Sequence, residues 1–120
     1  MKRILVVEDE VALAMAYQYK LGRRYEVEVV NNAQSALEKL QKENFDLVLL
    51  DVMLPGGQNG FEVLKTIKAN EKTAGIPVVI LTNLDEDERK TAIDLGALDY
   101  IAKANSSLDE LAGRVDELLK

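Results

Sequence analysis

Apolar runs and helical patterns alternate five times along the chain. Strand-like runs cover Arg3–Glu8, Glu26–Val30, Asp46–Asp51, Pro77–Thr82 and Leu98–Ala102. Each is short and largely apolar, the pattern of strands buried in a parallel sheet. Each is followed by a stretch with helical spacing, over roughly Glu10–Arg23, Ala33–Glu43, Gly60–Asn70, Asp85–Leu95 and Leu108–Leu119. Such alternation predicts a single (βα)5 α/β domain, a five-stranded parallel sheet with helices on both faces. Right-handed crossovers then leave only a few doubly wound topologies.

Local signals agree with these boundaries. Asp85-x-x-Glu88 and Ser107-x-x-Glu110 have the capping-box pattern and open the last two helices. Gly96 fits the residue that ends the fourth helix. Pro77 sits where a strand begins, so its missing N–H is tolerated. Leu108, Leu111, Val115, Leu118 and Leu119 form an apolar stripe at helical spacing. The first helix differs, because Val11 to Tyr19 is apolar nearly all round. Only one face can meet the sheet, so some of Leu13, Met15, Tyr17 and Tyr19 should be exposed. That surface reads equally as scattered apolar residues or as a docking face for a partner helix bundle.

The strand ends carry the chemistry. The first runs into Glu8 and Asp9, the third ends on Asp51, the fourth on Thr82 and the fifth on Lys103. In open parallel sheets the crevice outside the carboxyl ends of the strands is where ligands bind. Three carboxylates about 5 Å apart repel by roughly 3 kcal/mol per pair at an effective dielectric near 20. Gathering them calls for a cation, and oxygen donors alone favour a hard ion such as Mg²⁺. A phosphoryl oxygen could meet that ion, the Thr82 hydroxyl and the Lys103 ammonium. An aspartate can itself be the nucleophile and form an aspartyl-phosphate. One acid at one strand end is usually a solvated loop residue or a helix cap. Compatible groups at four strand ends together are much harder to attribute to chance.

Composition narrows the choice. Hydrophobic residues make up 48% of 120, enough for one buried core. A net charge of −6 argues against direct nucleic-acid binding. No apolar stretch is long enough to span a membrane. With no cysteine there is no disulfide framework, which fits a reducing cytoplasm, and with no histidine any imidazole phosphate carrier must come from a partner.

The motifs Val6-Val7-Glu8-Asp9-Glu10, Asp51-Val52-Met53-Leu54-Pro55, Leu81-Thr82 and Gly96-Ala97-Leu98-Asp99-Tyr100-Ile101-Ala102-Lys103 together resemble a response-regulator receiver domain over the whole chain. The resemblance implies sheet order 2-1-3-4-5. It implies Asp51 as phosphoacceptor and a Mg²⁺ ion held by Asp9 and Asp51, by Glu8 through water and by the Met53 backbone carbonyl. Thr82 and Lys103 would hold the phosphoryl group, and Tyr100 would change rotamer as Thr82 moves. The implied partners are a histidine kinase or histidine phosphotransfer protein upstream and an effector protein or domain downstream. The chain would then be a phosphorylation switch rather than an enzyme with a separate substrate. Its fourth helix, fifth strand and fifth helix would form the output face. It would be a stand-alone regulator or the receiver part of a longer protein. Three positions depart from the family pattern: Ala104 where proline usually follows the lysine, an extra residue in Gly56-Gly57-Gln58-Asn59, and Asn83 after Thr82.

Three rivals use the same fold class or the same nucleophile. A haloacid-dehalogenase-type phosphatase would want an acid two residues after Asp51, where Met53 stands. A flavin carrier would want a hydroxyl- and glycine-rich loop where Glu8-Asp9-Glu10 stands. A receiver-like module that is never phosphorylated would have no use for the intact acidic set, but Asn83 and Ala104 keep that reading open.

Overall fold

The computed structural model describes residues 1–55, 59–82, 86–103 and 107–120. The elements run β1 (Arg3–Val7), α1 (Val11–Leu21), β2 (Glu26–Val30), α2 (Ala33–Lys42), β3 (Leu47–Asp51), α3 (Gly60–Ala69), β4 (Val78–Thr82), α4 (Glu86–Asp94), β5 (Asp99–Ala102) and α5 (Leu108–Leu118). The five strands form one parallel sheet in the order β2-β1-β3-β4-β5, as the resemblance implies.

Strand side chains alternate between two cores, because successive residues of a strand point to opposite faces. On one face Leu5, Val7, Val48, Leu50, Val78 and Ile80 pack with Ala36 and Leu40 of α2, Leu64 and Ile67 of α3 and Ala92 of α4. On the other face Ile4, Val6, Leu47, Leu49, Val79 and Leu81 pack with Tyr17 and Leu21 of α1 and Leu111 and Val115 of α5. Strands β3 and β4 are buried at every residue, the reason their sequences read as unbroken apolar runs.

Helix ends follow their local chemistry. Asn32, Asn59 and Ser107 cap α2, α3 and α5 by accepting from the backbone N–H groups of Ser35, Glu62 and Glu110. Gly96 has φ +105, and Ala97 N–H reaches back to the Ala92 carbonyl, a glycine-terminated helix end as expected. On α1 the surface expectation divides. Tyr17 is buried and Leu13 half-buried, whereas Met15 and Tyr19 are 64% and 69% exposed. On α5 Leu111, Val115 and Leu119 are buried, but Leu108 is largely at the surface. The expectations at Gly56, Gly57, Gln58, Asn83, Asp85 and Ala104 lie outside the described residues.

Candidate functional site at the strand ends

The sheet order sets the site. β1 and β3 are neighbours in the middle of the sheet, and β4 and β5 follow on one side. Their carboxyl ends therefore stand in a row. Glu8 and Asp9 leave β1, Asp51 closes β3, Thr82 closes β4, and Lys103 leaves β5. Register holds the row tight: Asp51 pairs with Leu81, Thr82 with Ala102, and the Lys103 N–H donates to the Thr82 carbonyl at 2.9 Å.

One ligating oxygen from each of Glu8, Asp9 and Asp51 lies within 4.8 Å of the others. Glu8 and Asp51 are only 1% and 3% exposed, whereas Asp9 faces solvent. The Lys103 ammonium enters between the two buried acids, 2.6 Å from Glu8 Oε1 and 3.1 Å from Asp51 Oδ2. With Asp51 it makes a hydrogen bond; with Glu8 Oε1 the alignment is poor, leaving a contact of charge with charge. The other carboxylate oxygens are fixed locally. Glu8 Oε2 accepts from Glu10 N–H at 3.2 Å and Asp51 Oδ1 accepts from Met53 N–H at 3.1 Å. Thr82 is 3% exposed beside them.

The electrostatics match this crowding. Burial pushes the Glu8 carboxyl above its usual range; Lys103 opposes that push and neighbouring Asp51 adds to it. Burial disfavours the Lys103 ammonium, but Glu8 and Asp51 outweigh it and hold its pKa above the ordinary lysine value. Two buried carboxylates and one exposed carboxylate thus face a single ammonium. Oxygen donors only, an excess of negative charge and one open side suit a hard divalent cation.

Sequence reasoning identified these groups but not how two of them are positioned. Lys103 was expected to meet a phosphoryl oxygen, and here it touches both buried acids directly. Gly60 was read only as a helix start. A Cβ there would lie 2.4 Å from the Asp51 carbonyl oxygen and 2.7 Å from the Val52 Cα. The first turn of α3 presses on the backbone that carries Asp51, and Gly60 N–H donates to the Val52 carbonyl at 2.8 Å. The only sequence signal for this was a glycine following Asn at the head of an apolar helix. Tyr100, on β5, lies half-buried against the first core, with the Arg89 guanidinium 4.7 Å from its ring centroid. That cation–π contact joins α4 to β5 and had no signature in the sequence.

Known proteins resemble this chain in sequence and fold. The response regulator receiver domain profile matches residues 4–116. Response regulator ArlR of Staphylococcus saprophyticus is 37% identical over 100% of this chain and 53% of its own length. The alkaline phosphatase synthesis transcriptional regulatory protein PhoP of Bacillus subtilis is 37% identical over 99% of this chain and 49% of its own. The chain therefore spans about half the length of the curated relatives it matches. Among solved structures, the chemotaxis response regulator CheY4 of Vibrio cholerae superposes with a TM-score of 0.91 at 25% identity, covering 98% of each chain. A CheY-like receiver domain protein of Methanospirillum hungatei gives 0.90 at 29% identity, covering 99% of this chain and 94% of the other. Profile, relatives and superposition agree: the chain belongs to the response regulator receiver domain family.

Proposed function

We propose that Asp51 is the phosphoacceptor of this receiver, charged by a partner's phosphohistidine and discharged by water. The observation that carries the reading is the setting of Asp51. Its carboxylate is buried at the end of a central strand, grouped with Glu8 and Asp9, and touched by Lys103 at 3.1 Å. An Asp51 oxygen attacks phosphorus as the P–N bond to the partner's imidazole breaks, and the departing imidazole takes a proton from solvent. The Met53 N–H holds the rotation of the carboxylate. The Lys103 ammonium, already against Oδ2, is placed to pass to a phosphoryl oxygen once Asp51 is esterified. The Thr82 hydroxyl is the second donor for that group.

Asp9 and Asp51 would hold Mg²⁺ directly, Glu8 through water, with the Met53 carbonyl completing the protein's share. When bound, the ion supplies neutralisation of charge on the transferring phosphoryl group. Transfer and hydrolysis are reactions of the domain on itself, without turnover of a separate substrate. The exposed Val11, Met15 and Tyr19, spaced four apart on α1, form the face that meets the helices of a histidine kinase or phosphotransfer protein. The output face is α4, β5 and α5, since Thr82 and Tyr100 stand at its root. A full-length protein carrying this receiver would pass the signal to an effector protein or domain.

Intact-mass measurement with Mg²⁺ and a small phosphodonor tests the reading. The wild type should gain one phosphate, and Asp51→Asn should gain none. A stable phosphate on Asp51→Asn, or no gain by the wild type with several donors, overturns it.

A further inference from the structure

On the face of the sheet covered by α1 and α5, the packing leaves a cavity of about 150 Å³. Leu13, Ala16 and Tyr17 of α1, Leu81 of β4, Ile101 of β5 and Leu111 of α5 wall it. None of Glu8, Asp9 and Asp51 lines it. Lys103 does, but its ammonium is already held by Glu8 and Asp51, so the charge is answered. Ser107 and Leu108 at the head of α5 are exposed, and there the cavity opens to solvent. The Ser107 hydroxyl is taken up in accepting from Glu110 N–H. Tyr17 differs. Its side chain is 5% exposed, and its hydroxyl makes no hydrogen bond among the described residues, yet it is not fully enclosed. Burial pushes its pKa above the ordinary tyrosine value, so at neutral pH it is a protonated donor. Of the surrounding charges Lys103 acts on it most, which places the hydroxyl toward the Lys103 end of the cavity.

From this cavity we infer a small-molecule site between α1 and α5, which takes one neutral, single-ring compound carrying a hydrogen-bond acceptor for the Tyr17 hydroxyl. Volume sets the size: an apolar cavity of about 150 Å³ in another protein stays dry and holds a benzene ring. The lining sets the polarity, apolar walls with one placed donor being the usual make-up of a small-ligand site. An ionised ligand is disfavoured, because it would leave water for a space whose single cation is already paired. An occupant would lie against the stem of Lys103, so the domain has a chemical input besides phosphoryl transfer. Binding itself needs neither the metal nor chemistry at Asp51, and the inference stands apart from the acceptor assignment.

The test uses the full chain with toluene, benzyl alcohol and benzoate as probes, read by calorimetry and by methyl NMR. Benzyl alcohol should bind with a Kd on the order of 1 mM, as expected for so few atoms. Methyl signals of Leu81, Ile101 and Leu111 should shift, and those of the exposed Ile93 and Leu98 should not. Tyr17→Phe keeps the ring, and should weaken benzyl alcohol about fivefold, the worth of one hydrogen bond, without weakening toluene. Ala16→Leu should fill the cavity and abolish binding of both; if that variant does not fold, the Tyr17→Phe comparison decides alone. Benzoate should bind about tenfold more weakly than benzyl alcohol. No saturation by benzyl alcohol at roughly twenty times the expected Kd overturns the inference. So do shifts centred elsewhere, equal weakening of toluene and benzyl alcohol in Tyr17→Phe, or benzoate binding as well as the alcohol.

Discussion

Replacing Lys103 by methionine keeps the apolar stem of the side chain and removes the cation from between two buried acids. The ammonium lies 2.6 Å from Glu8 and 3.1 Å from Asp51. Without it, carboxylates whose ligating oxygens lie within 4.8 Å face each other alone. At that spacing and an effective dielectric near 20 they repel by about 3.5 kcal/mol. Losing one partner of a buried ion pair costs about 3–5 kcal/mol by comparison with other proteins. The two figures agree on about 3–4 kcal/mol near pH 8 in a metal chelator. The sign with pH follows from Glu8, whose folded pKa already lies above its unfolded value near 4.5. Such a group favours the fold fully below the unfolded value, and this contribution is lost as pH rises through the folded one. The variant loses the Lys103 contact that restrains the shift, so its deficit grows from about pH 5 to about pH 8. The pKa of Lys103 is also raised, so its own contribution persists until pH rises past the ordinary lysine value of 10.5. Urea unfolding followed by circular dichroism should show a midpoint about 2 M lower at about pH 8, for a slope near 1.5–2 kcal/mol per M. Millimolar Mg²⁺ should recover part of the loss. A deficit under about 1 kcal/mol, or one equal at both pH values, refutes the account.

Gly60→Ala should cost about 1–3 kcal/mol and slow phosphorylation of Asp51, because the new Cβ meets backbone 2.4 Å away; a thermal melt and a phosphorylation rate both equal to wild type would contradict this. Asn59→Ala should lose about 1 kcal/mol through the α3 cap alone, read by urea unfolding. Met53→Asn should shorten the life of the aspartyl-phosphate by orienting the attacking water in the cavity that Met53 and Asp9 line; an unchanged decay by intact mass counts against it. Tyr25, pushed up to about 12 by burial and by its hydrogen bond to Asp116, should ionise well above the usual tyrosine value of 10 in an alkaline absorbance titration. Its stabilising share persists below the usual tyrosine value of 10 and fades as pH rises through about 12, and Asp116→Asn should bring the titration down.

The elements were legible because their periodicities were unmixed. β1, β3 and β4 read as strands from runs of Val, Ile and Leu and β2 from Val alternating with Glu, and predicted ends fall within two residues of the observed ones. Glu8 lies just past β1: its N–H still donates to the Val30 carbonyl at 3.0 Å, and its carboxylate turns to Lys103. The chemical identities at the strand ends were legible because parallel topology forces those ends together. What the sequence hid was contact across distant segments. Lys103 and Glu8 are 95 positions apart, and nothing local tells whether the ammonium faces an acid or solvent. Gly60 against Asp51 and Arg89 against Tyr100 are likewise meetings of backbone or side chain that only the assembled fold creates. The α1 surface was undecided for a related reason, since an almost uniformly apolar helix carries little sign of which side is covered. Packing buries Tyr17 and leaves Met15 and Tyr19 outside.

The strands that feed the site are not mechanically equal. β1, β3 and β4 each have neighbours on both sides, whereas β5, four residues long, is hydrogen-bonded to β4 alone. The acids thus stand on a stiff bed and the lysine on a compliant margin. Were the charge at Asp51 to change, the cheaper displacement would run along the Lys103 contact into β5. The central strands need not bend for news of the event to reach the outer surface. A receiver built this way can be stable and responsive at once, because rigidity and give belong to different strands of the same sheet.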